Sequence, residues 1–294
     1  MPDVKDYVTP NKPTWCPGCG NFGMWEALKR ALSQLNLQTH EFSVVWGIGC
    51  HGNGADFLAT QGFHALHGRT LPVATALRLA QPDIKVIVEA GDGDGYGLGL
   101  GHFVHSVRRN LDMTYIAHDN QIYGLTTGQA SPTSDHLMRT VSTPKGVLEE
   151  PVNPVGLALA EGATFVARGF AGDIPHLADL YVQAIEHPGF AIVDVFQPCV
   201  AWNKINTFSW FRERAYKLEE TGWDASNRAA AFELSMTTFH ELACAPDECR
   251  VPIGVYFRKE GVPTYEENVP AFGEPLWKVA TKPRDLTDLL EKLG

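Results

Sequence analysis

Residues 84–129, IKVIVEAGDGDGYGLGLGHFVHSVRRNLDMTYIAHDNQIYGLTTGQ, constrain the fold more than any other stretch of this chain. They open on an apolar β-branched run, 84–88, and pass into a loop with glycine at every second position from Gly91 to Gly101. Two carboxylates, Asp92 and Asp94, sit inside that loop. A helix-like run follows to Arg109, then a second apolar run, 113–117, and then Asp119-Asn120. Strand, glycine-rich turn, helix and strand in that order predict a phosphate cradle in an α/β protein, because such a turn leaves backbone N–H groups unpaired at a helix start.

The kind of phosphate ligand can be narrowed. A dinucleotide fingerprint needs glycine at i, i+2 and i+5, and every start from Gly91 to Gly99 fails at the sixth position: Tyr96, Leu98, Leu100, His102 or Val104. No Gly-Lys-Ser/Thr is present, so a Walker-type loop is excluded. What remains is Gly-Asp-Gly followed by Asn120, 28 residues beyond Asp92. A carboxylate and a side-chain amide at the ends of neighbouring strands are hard oxygen ligands, suited to Mg²⁺ bound jointly with a diphosphate. The pattern resembles the motif of thiamine-diphosphate enzymes. The bland alternative is a glycine-rich turn with solvated aspartates.

Composition excludes several other classes. The net charge of −10 argues against nucleic acid as a partner. No apolar run approaches the roughly 18 residues of a membrane span. The opening MPDVKDYVTPNKP has no apolar signal core, so a cytoplasmic location is expected. In a reducing compartment the six cysteines are expected as ligands, nucleophiles or buried hydrophobes rather than disulfides.

Taken in order, residues 1–13 read as an extended arm, and Cys16-Pro17-Gly18-Cys19 as a C-x-x-C turn before a helix at 22–35. A short strand at 42–46 precedes Gly47-Ile48-Gly49-Cys50-His51-Gly52, and 62–69 reads as a loop with polar tips. A helix is expected at 71–80, stopped by Pro82-Asp83. After a loop-like passage through Glu150, helices are expected at 154–161 and 174–186 and strands at 164–167 and 190–196. Five strands alternating with helices predict an α/β fold: an open, mostly parallel sheet with helices on both faces. Beyond Ala201 the alternation stops. Helices at 208–220 and 225–242 and a strand at 251–257 are expected there. The division is therefore a cofactor-binding domain over 1–200 and a C-terminal, partner-facing extension over 201–294.

In open parallel sheets ligands sit beyond the carboxyl ends of the strands. Cys50, Asp92, Asn120 and Cys199 all fall at such ends, and Cys16 and Cys19 can fold over the same edge. Four thiolates can hold a tetrahedral Zn²⁺ or a [4Fe–4S] cluster, and spacing alone does not separate the two. One C-x-x-C plus two scattered thiols beside a thiamine-type site favours the redox cluster. Cys244 and Cys249, in the irregular tail, read as non-ligands.

The motifs WCPGCG (15–20), GIGCHG (47–52), GFHALHGRTLPVATALRLA (62–80), GDGDGYGLG (91–99), DNQIYGLTTGQASPTS (119–134) and FQPCVAWN (196–203) resemble the β subunit of 2-oxoacid:ferredoxin oxidoreductases, most of all the short 2-oxoglutarate (KorB-like) branch. The resemblance implies a thiamine-diphosphate-binding fold and coenzyme A-dependent oxidative decarboxylation of a 2-oxoacid, most readily 2-oxoglutarate to succinyl-CoA, with electrons passed through a [4Fe–4S] cluster to ferredoxin. It implies an α subunit as partner. Carried over by motif, Cys16, Cys19, Cys50 and Cys199 are the cluster ligands, and Asp92, Asn120 and the Ile122 carbonyl are the Mg²⁺ ligands. The backbone around Gly93, Asp94, Gly124 and Leu125 lines the diphosphate, while Ile48, Gly49, Cys50, His51 and His67 approach the thiamine rings. His51 and His67 are the catalytic candidates, although His67 could equally cap a loop turn. Many family members carry lysine where this chain has Thr127, so the charge facing the substrate's carboxylate must come from elsewhere, such as the partner chain. The glutamate that activates thiamine is not found here and is expected from the α subunit. The rivals are a non-redox thiamine decarboxylase or carboligase subunit, a pyruvate-specific oxidoreductase, and a structural zinc subunit.

Overall fold

The computed structural model describes residues 2–237 and 245–269, together with 287, 291 and 292. Its centre is one eight-stranded sheet in the order β2-β1-β3-β4-β8-β7-β10-β9. The strands are β1 (Phe42–Trp46), β2 (Gln61–His64), β3 (Lys85–Gly91), β4 (Met113–Asp119), β7 (Phe165–Phe170), β8 (Phe190–Phe196), β9 (Ala215–Lys217) and β10 (Val251–Arg258). A small hairpin, β5 (Ile122–Tyr123) with β6 (Gln129–Ala130), stands apart. The pairs from β2 through β7 are parallel, and only β10 runs antiparallel to its neighbour β7.

The helices are α1 (Asn21–Gln34), α2 (Thr70–Ala80), α3 (Leu100–Arg109), α4 (Pro154–Ala160), α5 (Ile174–Glu186), α6 (Phe208–Arg214) and α7 (Arg228–Ser235). They cover both faces. Leu28 and Leu32 of α1 and Leu177, Leu180 and Ile185 of α5 pack on Val44, Ile87, Ile116 and Val193. Leu71 of α2, Phe103 and Val107 of α3 and Leu159 of α4 pack on Val86, Val88, Tyr115 and Ile192 of the opposite face. The central strands are buried along their whole length. That is why they read as continuous apolar runs rather than as alternating ones.

All six expected strands, the five of the alternation and 251–257, are present, and the expected α/β class is the one observed. Several local expectations are overturned. Residues 61–64, read as loop, form β2, an exposed edge strand parallel to β1. Its exposed residues carry no apolar periodicity, so only the pairing reveals it. The extended arm contains one 3-10 turn, Val4–Tyr7, capped by Asp3, and the Tyr7 hydroxyl donates to Leu37 O at 2.7 Å. The helix expected at 208–220 stops at Arg214, because Ala215–Lys217 extends to pair with β10. Tertiary pairing here overrides helical propensity. The helix expected at 225–242 is observed as α7 alone, and 238–242 lie outside the described residues, as does Cys244. Cys249 is disulfide-bonded, against the expectation that no cysteine would be. Through β9 and β10 the chain beyond residue 200 adds two strands to the one sheet.

Asn110 closes the turn between α3 and β4. It sits in the left-handed region at φ 52°, and its Oδ1 accepts from Thr164 Oγ1 at 2.8 Å and Phe190 N at 3.0 Å. Asn110→Ala meets both the left-handed backbone penalty and a buried unsatisfied N–H, so it should lower stability by about 2–4 kcal/mol. Asn110→Gly, which relieves the backbone strain, should cost less. Urea midpoints of the two variants check the order.

Candidate functional site

Strands β1, β3, β4 and β8 are neighbours in the sheet and end at one level, Trp46 opposite Glu89, Gly91 opposite His118 and Asp119 opposite Phe196. The residues that follow them therefore emerge side by side: Gly47–Cys50, Asp92, Asn120 and Gln197–Cys199. Two adjoining cavities open there. One is lined by Ile48, Gly49, Cys50, His51, His67, Asp92, Gly93, Asp94, Asn120, Ile122, Gly124 and Leu125, among others. It thus gathers every non-cysteine residue carried over as a cofactor or metal contact. The other is lined by Cys16, Cys19, Cys50 and Cys199, with Asn120, Gly124 and Gln197 between them.

Asp92 starts a π-helical turn, Gly93–Leu98, and is almost fully buried. Its Oδ2 accepts from Ser131 Oγ at 2.5 Å and Thr133 Oγ1 at 2.7 Å. Thr133 Oγ1 also lies 2.7 Å from Asp119 Oδ1. A hydroxyl has one proton, so it donates to one carboxylate and accepts from the other, which must then carry a proton. Burial raises Asp119 well above the carboxylate range. Burial also raises Asp92, but the two hydroxyls oppose the shift and hold it at about 6. Asp119 is therefore the protonated partner, and Asp92 is the ionised one above that value. The turn itself needs glycine, because a Cβ on Gly93 would overlap the Tyr123 ring.

Asp94 contributes its side chain, where only a lining role was expected. Its Oδ1 accepts from Gly68 N at 2.6 Å, His67 Nδ1 at 2.8 Å and Ile48 N at 3.4 Å. One carboxylate oxygen thus ties together three loops, its own among them, and orients the His67 ring through Nδ1. Asp94 Oδ2 is buried and, among the described residues, has no partner. The same holds for His51 Nε2. His51 is neutral, because burial, and then His118, hold its pKa well below the usual imidazole range. Its ring lies 5.0 Å from that of His118, which bonds Glu89 on one side and Asn21 Oδ1 at 2.9 Å on the other. Two unpartnered polar groups at one cavity mark a place built for a polar ligand.

Asn120 is oriented by its neighbours. Its Nδ2 donates to Gln197 Oε1 at 3.1 Å, and its Oδ1 accepts from Ile122 N at 3.1 Å. Gln121 beside it takes φ 59°, held by Asp135 Oδ1 at 2.8 Å from its Nε2. Thr127 also has φ 75° and is exposed outside the cavity. Among the described residues, neither lysine nor arginine, nor any glutamate, lines the cavity.

The four thiols are brought together from three segments. Trp15, packed edge-on against Phe22 and Phe57, donates its indole N–H to Cys50 O at 2.6 Å. Gly20 N donates to Pro198 O at 3.2 Å. A methyl on Gly124 would lie 3.5 Å from Cys199 Sγ and 3.7 Å from Cys50 Sγ. Burial, reinforced by the neighbouring thiols, pushes Cys50 up to about 11 and Cys19 up to about 12. Thiols crowded in this way ionise together only around a cationic centre. Among the described residues, no three His, Cys, Asp or Glu side chains converge as a single metal ion requires. The sulfurs instead surround a shared space.

The sequence did not reveal Asp94 as an anchor, nor Ser131, Thr133, Gln197, Glu89 and His118. The run SPTS at 131–134 was visible as small hydroxyls, but its partner Asp92 lies about forty residues away and no local signal links them. Removing the Asp94 anchor should free the loops without melting the sheet. In Asp94→Ala the Ile48 and Gly68 amides should exchange about tenfold faster or more while β3 and β4 amides keep their protection. Residue-resolved hydrogen exchange reads this directly.

Comparison with known proteins agrees with this geometry. Residues 47–195 match the family model "Thiamine pyrophosphate enzyme, C-terminal TPP binding domain", and residues 199–274 match the family model for the C-terminal part of the pyruvate ferredoxin oxidoreductase beta subunit. The chain is 42% identical to a 2-oxoacid:ferredoxin oxidoreductase subunit beta from Sulfolobus sp, over 97% of its own length and 96% of the relative's. It is 41% identical to the 2-oxoglutarate oxidoreductase subunit KorB of Mycobacterium tuberculosis, over 68% of its length and 53% of that protein's. Among solved structures, 2-oxoglutarate:ferredoxin oxidoreductase from Magnetococcus marinus, with 2-oxoglutarate, coenzyme A and succinyl-CoA bound, superposes with a TM-score of 0.88 at 37% identity, covering 100% of this chain and 96% of that one. The chain belongs to the β subunits of the 2-oxoacid:ferredoxin oxidoreductases.

Proposed function

We propose that this β subunit works on 2-oxoglutarate, and that it holds Mg²⁺–thiamine diphosphate in the first cavity and a [4Fe–4S] cluster in the second. The observation that carries the reading is the juxtaposition of the two cavities, which share Cys50, Asn120, Gly124 and Leu125 as lining. The residues fit the groups. Asp92, ionised and clamped through one oxygen, and Asn120, with its amide nitrogen already engaged, offer hard oxygens to Mg²⁺. The Ile122 carbonyl is the third protein ligand. Four thiols around one space suit a polynuclear cluster better than one zinc ion's tetrahedron.

When bound, thiamine diphosphate supplies the electron sink for decarboxylation, and the cluster supplies a one-electron acceptor. This chain's own residues hold and orient. Gly93, Asp94, Gly124 and Leu125 border the diphosphate position, and Ile48, Gly49 and Cys50 the ring position. His51, buried and neutral, and His67, oriented through Nδ1 by Asp94, are side chains placed to take or give a proton at the cavity. The activating glutamate and the cation facing the substrate's carboxylates come from the α subunit, since neither lines the cavity here. Exposed Leu66, Leu98 and Leu125 give that subunit an apolar rim to cover. The 2-oxoglutarate assignment rests on relatives named for that substrate and on the solved structure that holds it. Ferredoxin is the electron acceptor, and the protein acts in the cytoplasm. No described helix is long and apolar enough to cross a membrane.

Anaerobic preparation tests the reading. The chain should carry about four irons, and it should reduce viologen with 2-oxoglutarate and coenzyme A only after its α subunit is added, faster than with pyruvate. Colourless protein with one zinc, or activity of the chain alone, sinks it. A second test addresses the clamp. Ser131→Ala combined with Thr133→Val should weaken Mg²⁺ binding in the presence of thiamine diphosphate by about 10–100-fold, as loss of an outer hydrogen bond to a metal ligand does. Titration calorimetry measures it, with the thermal midpoint as control for folding.

A further inference from the structure

Among the described residues, Gln197 has a side chain that bonds to both halves of the site. It follows β8, is almost fully buried, and is held by its backbone N–H, which donates to Asp119 O at 2.9 Å. Its side-chain amide has three partners. Oε1 accepts from Asn120 Nδ2 at 3.1 Å, and Nε2 donates to Pro198 O at 3.2 Å and to Cys19 Sγ at 3.5 Å. The orientation is determined by chemistry. Flipped, Oε1 would face the Pro198 carbonyl, an acceptor, and Nε2 would face the Asn120 amide nitrogen, a donor. Space for the amide is reserved as well. A Cβ on Gly20 would lie 2.9 Å from Gln197 Cγ and 3.0 Å from Nε2, so the glycine following Cys19 lets the side chain reach that sulfur.

We propose that Gln197 is a positioning residue that joins the two cofactor sites, its carbonyl oxygen fixing the Asn120 amide so that Oδ1 faces the cation while its N–H donates to the Cys19 sulfur. The proposal rests on the reading that Asn120 ligates Mg²⁺ and Cys19 ligates the cluster. Two consequences follow from general chemistry. An amide is ambidentate, and a fixed acceptor on Asn120 Nδ2 removes the orientation in which nitrogen faces the metal. A hydrogen bond to a ligating sulfur stabilises the more negative, reduced cluster and so raises its reduction potential. One side chain thereby sets metal affinity on one side and electron affinity on the other, at the boundary the electron must cross.

Two variants separate the halves. Gln197→Leu removes both functions. Gln197→Glu keeps an acceptor facing Asn120 and loses the donor to Cys19. Both are measured in the reconstituted, anaerobic holoenzyme by iron content, by an EPR-monitored redox titration of this cluster, and by the Mg²⁺ concentration that supports thiamine diphosphate binding. In Gln197→Leu the midpoint potential should move negative and the Mg²⁺ dissociation constant should rise about tenfold. In Gln197→Glu the potential should move negative with Mg²⁺ affinity within about twofold of wild type, because the acceptor behind Asn120 is retained. A Gln197→Leu protein with wild-type potential or wild-type Mg²⁺ affinity overturns the proposal. If that variant fails to take up iron, wild-type protein labelled with ¹⁵N only at glutamine side chains decides. Pulsed EPR of the reduced cluster should show a ¹⁵N coupling that Gln197→Glu lacks, and absence of the coupling in wild type overturns the role. A wild type that binds no iron fails the cluster assignment itself, whereas an iron-replete wild type with unshifted variants fails Gln197 alone.

Discussion

The parallel register of β1, β3, β4 and β8 is the constraint on which the site depends. These strands are adjacent in space, hydrogen-bonded throughout, and end within a residue or two of one another. A slip of one residue at any of the three interfaces would turn every buried side chain to the opposite face. Val86, Val88 and Ala90 pack toward α2 and α3, and Ile87 packs toward α1 and α5, so both faces resist such a slip. The apolar layers thus fix, at a distance, the relative heights of Asp92, Asn120, Cys50 and Cys199. No direct contact among these four is needed to bring them to one level.

Above that level the chain changes from apolar packing to a polar bracket. Ser131 and Thr133 hold Asp92, and Ser134 Oγ donates to Gln121 O at 2.6 Å. Asp135 accepts from both Gln121 and Asn206, and Asn203 Nδ2 reaches Asn120 O at 3.1 Å. Each buried polar group in this series would be costly alone, and its partners are what make it tolerable. Two buried atoms of cavity-lining residues, His51 Nε2 and Asp94 Oδ2, have no partner among the described residues.

The central strands, the helices between them and the glycine turn were legible because burial on both faces writes itself into the sequence as apolar runs bounded by Gly and Pro. The site's skeleton was legible for a related reason. Cys50, Asp92, Asn120 and Cys199 each follow closely on such a run, so finding the strand finds the residue. What was not legible depends on partners distant in sequence. β2 is an exposed edge, recognisable only by its pairing to β1. Ala215–Lys217 continues a helical pattern until β10 captures it. Thr133 meets Asp92 across 41 residues, and Gln197 meets Cys19 across 178. The bonds of the Asp94 side chain to Ile48, His67 and Gly68 were not legible either, because a backbone motif says nothing of which loops a side chain will tie together.

The electrostatics also explain why such a chain is one part of an assembly. Its cavity-lining ionisable groups include two aspartates, two histidines and one cysteine. One aspartate is clamped by hydroxyls, and the other is spent on organising loops. Of the histidines, one is kept neutral by burial and the other is bonded through Nδ1 to Asp94. None of these is an unoccupied carboxylic acid or a fixed cation. The chain's own groups hold and orient, and exposed Leu66, Leu98 and Leu125 leave apolar surface for a partner subunit to cover, as befits the β subunit of a larger oxidoreductase.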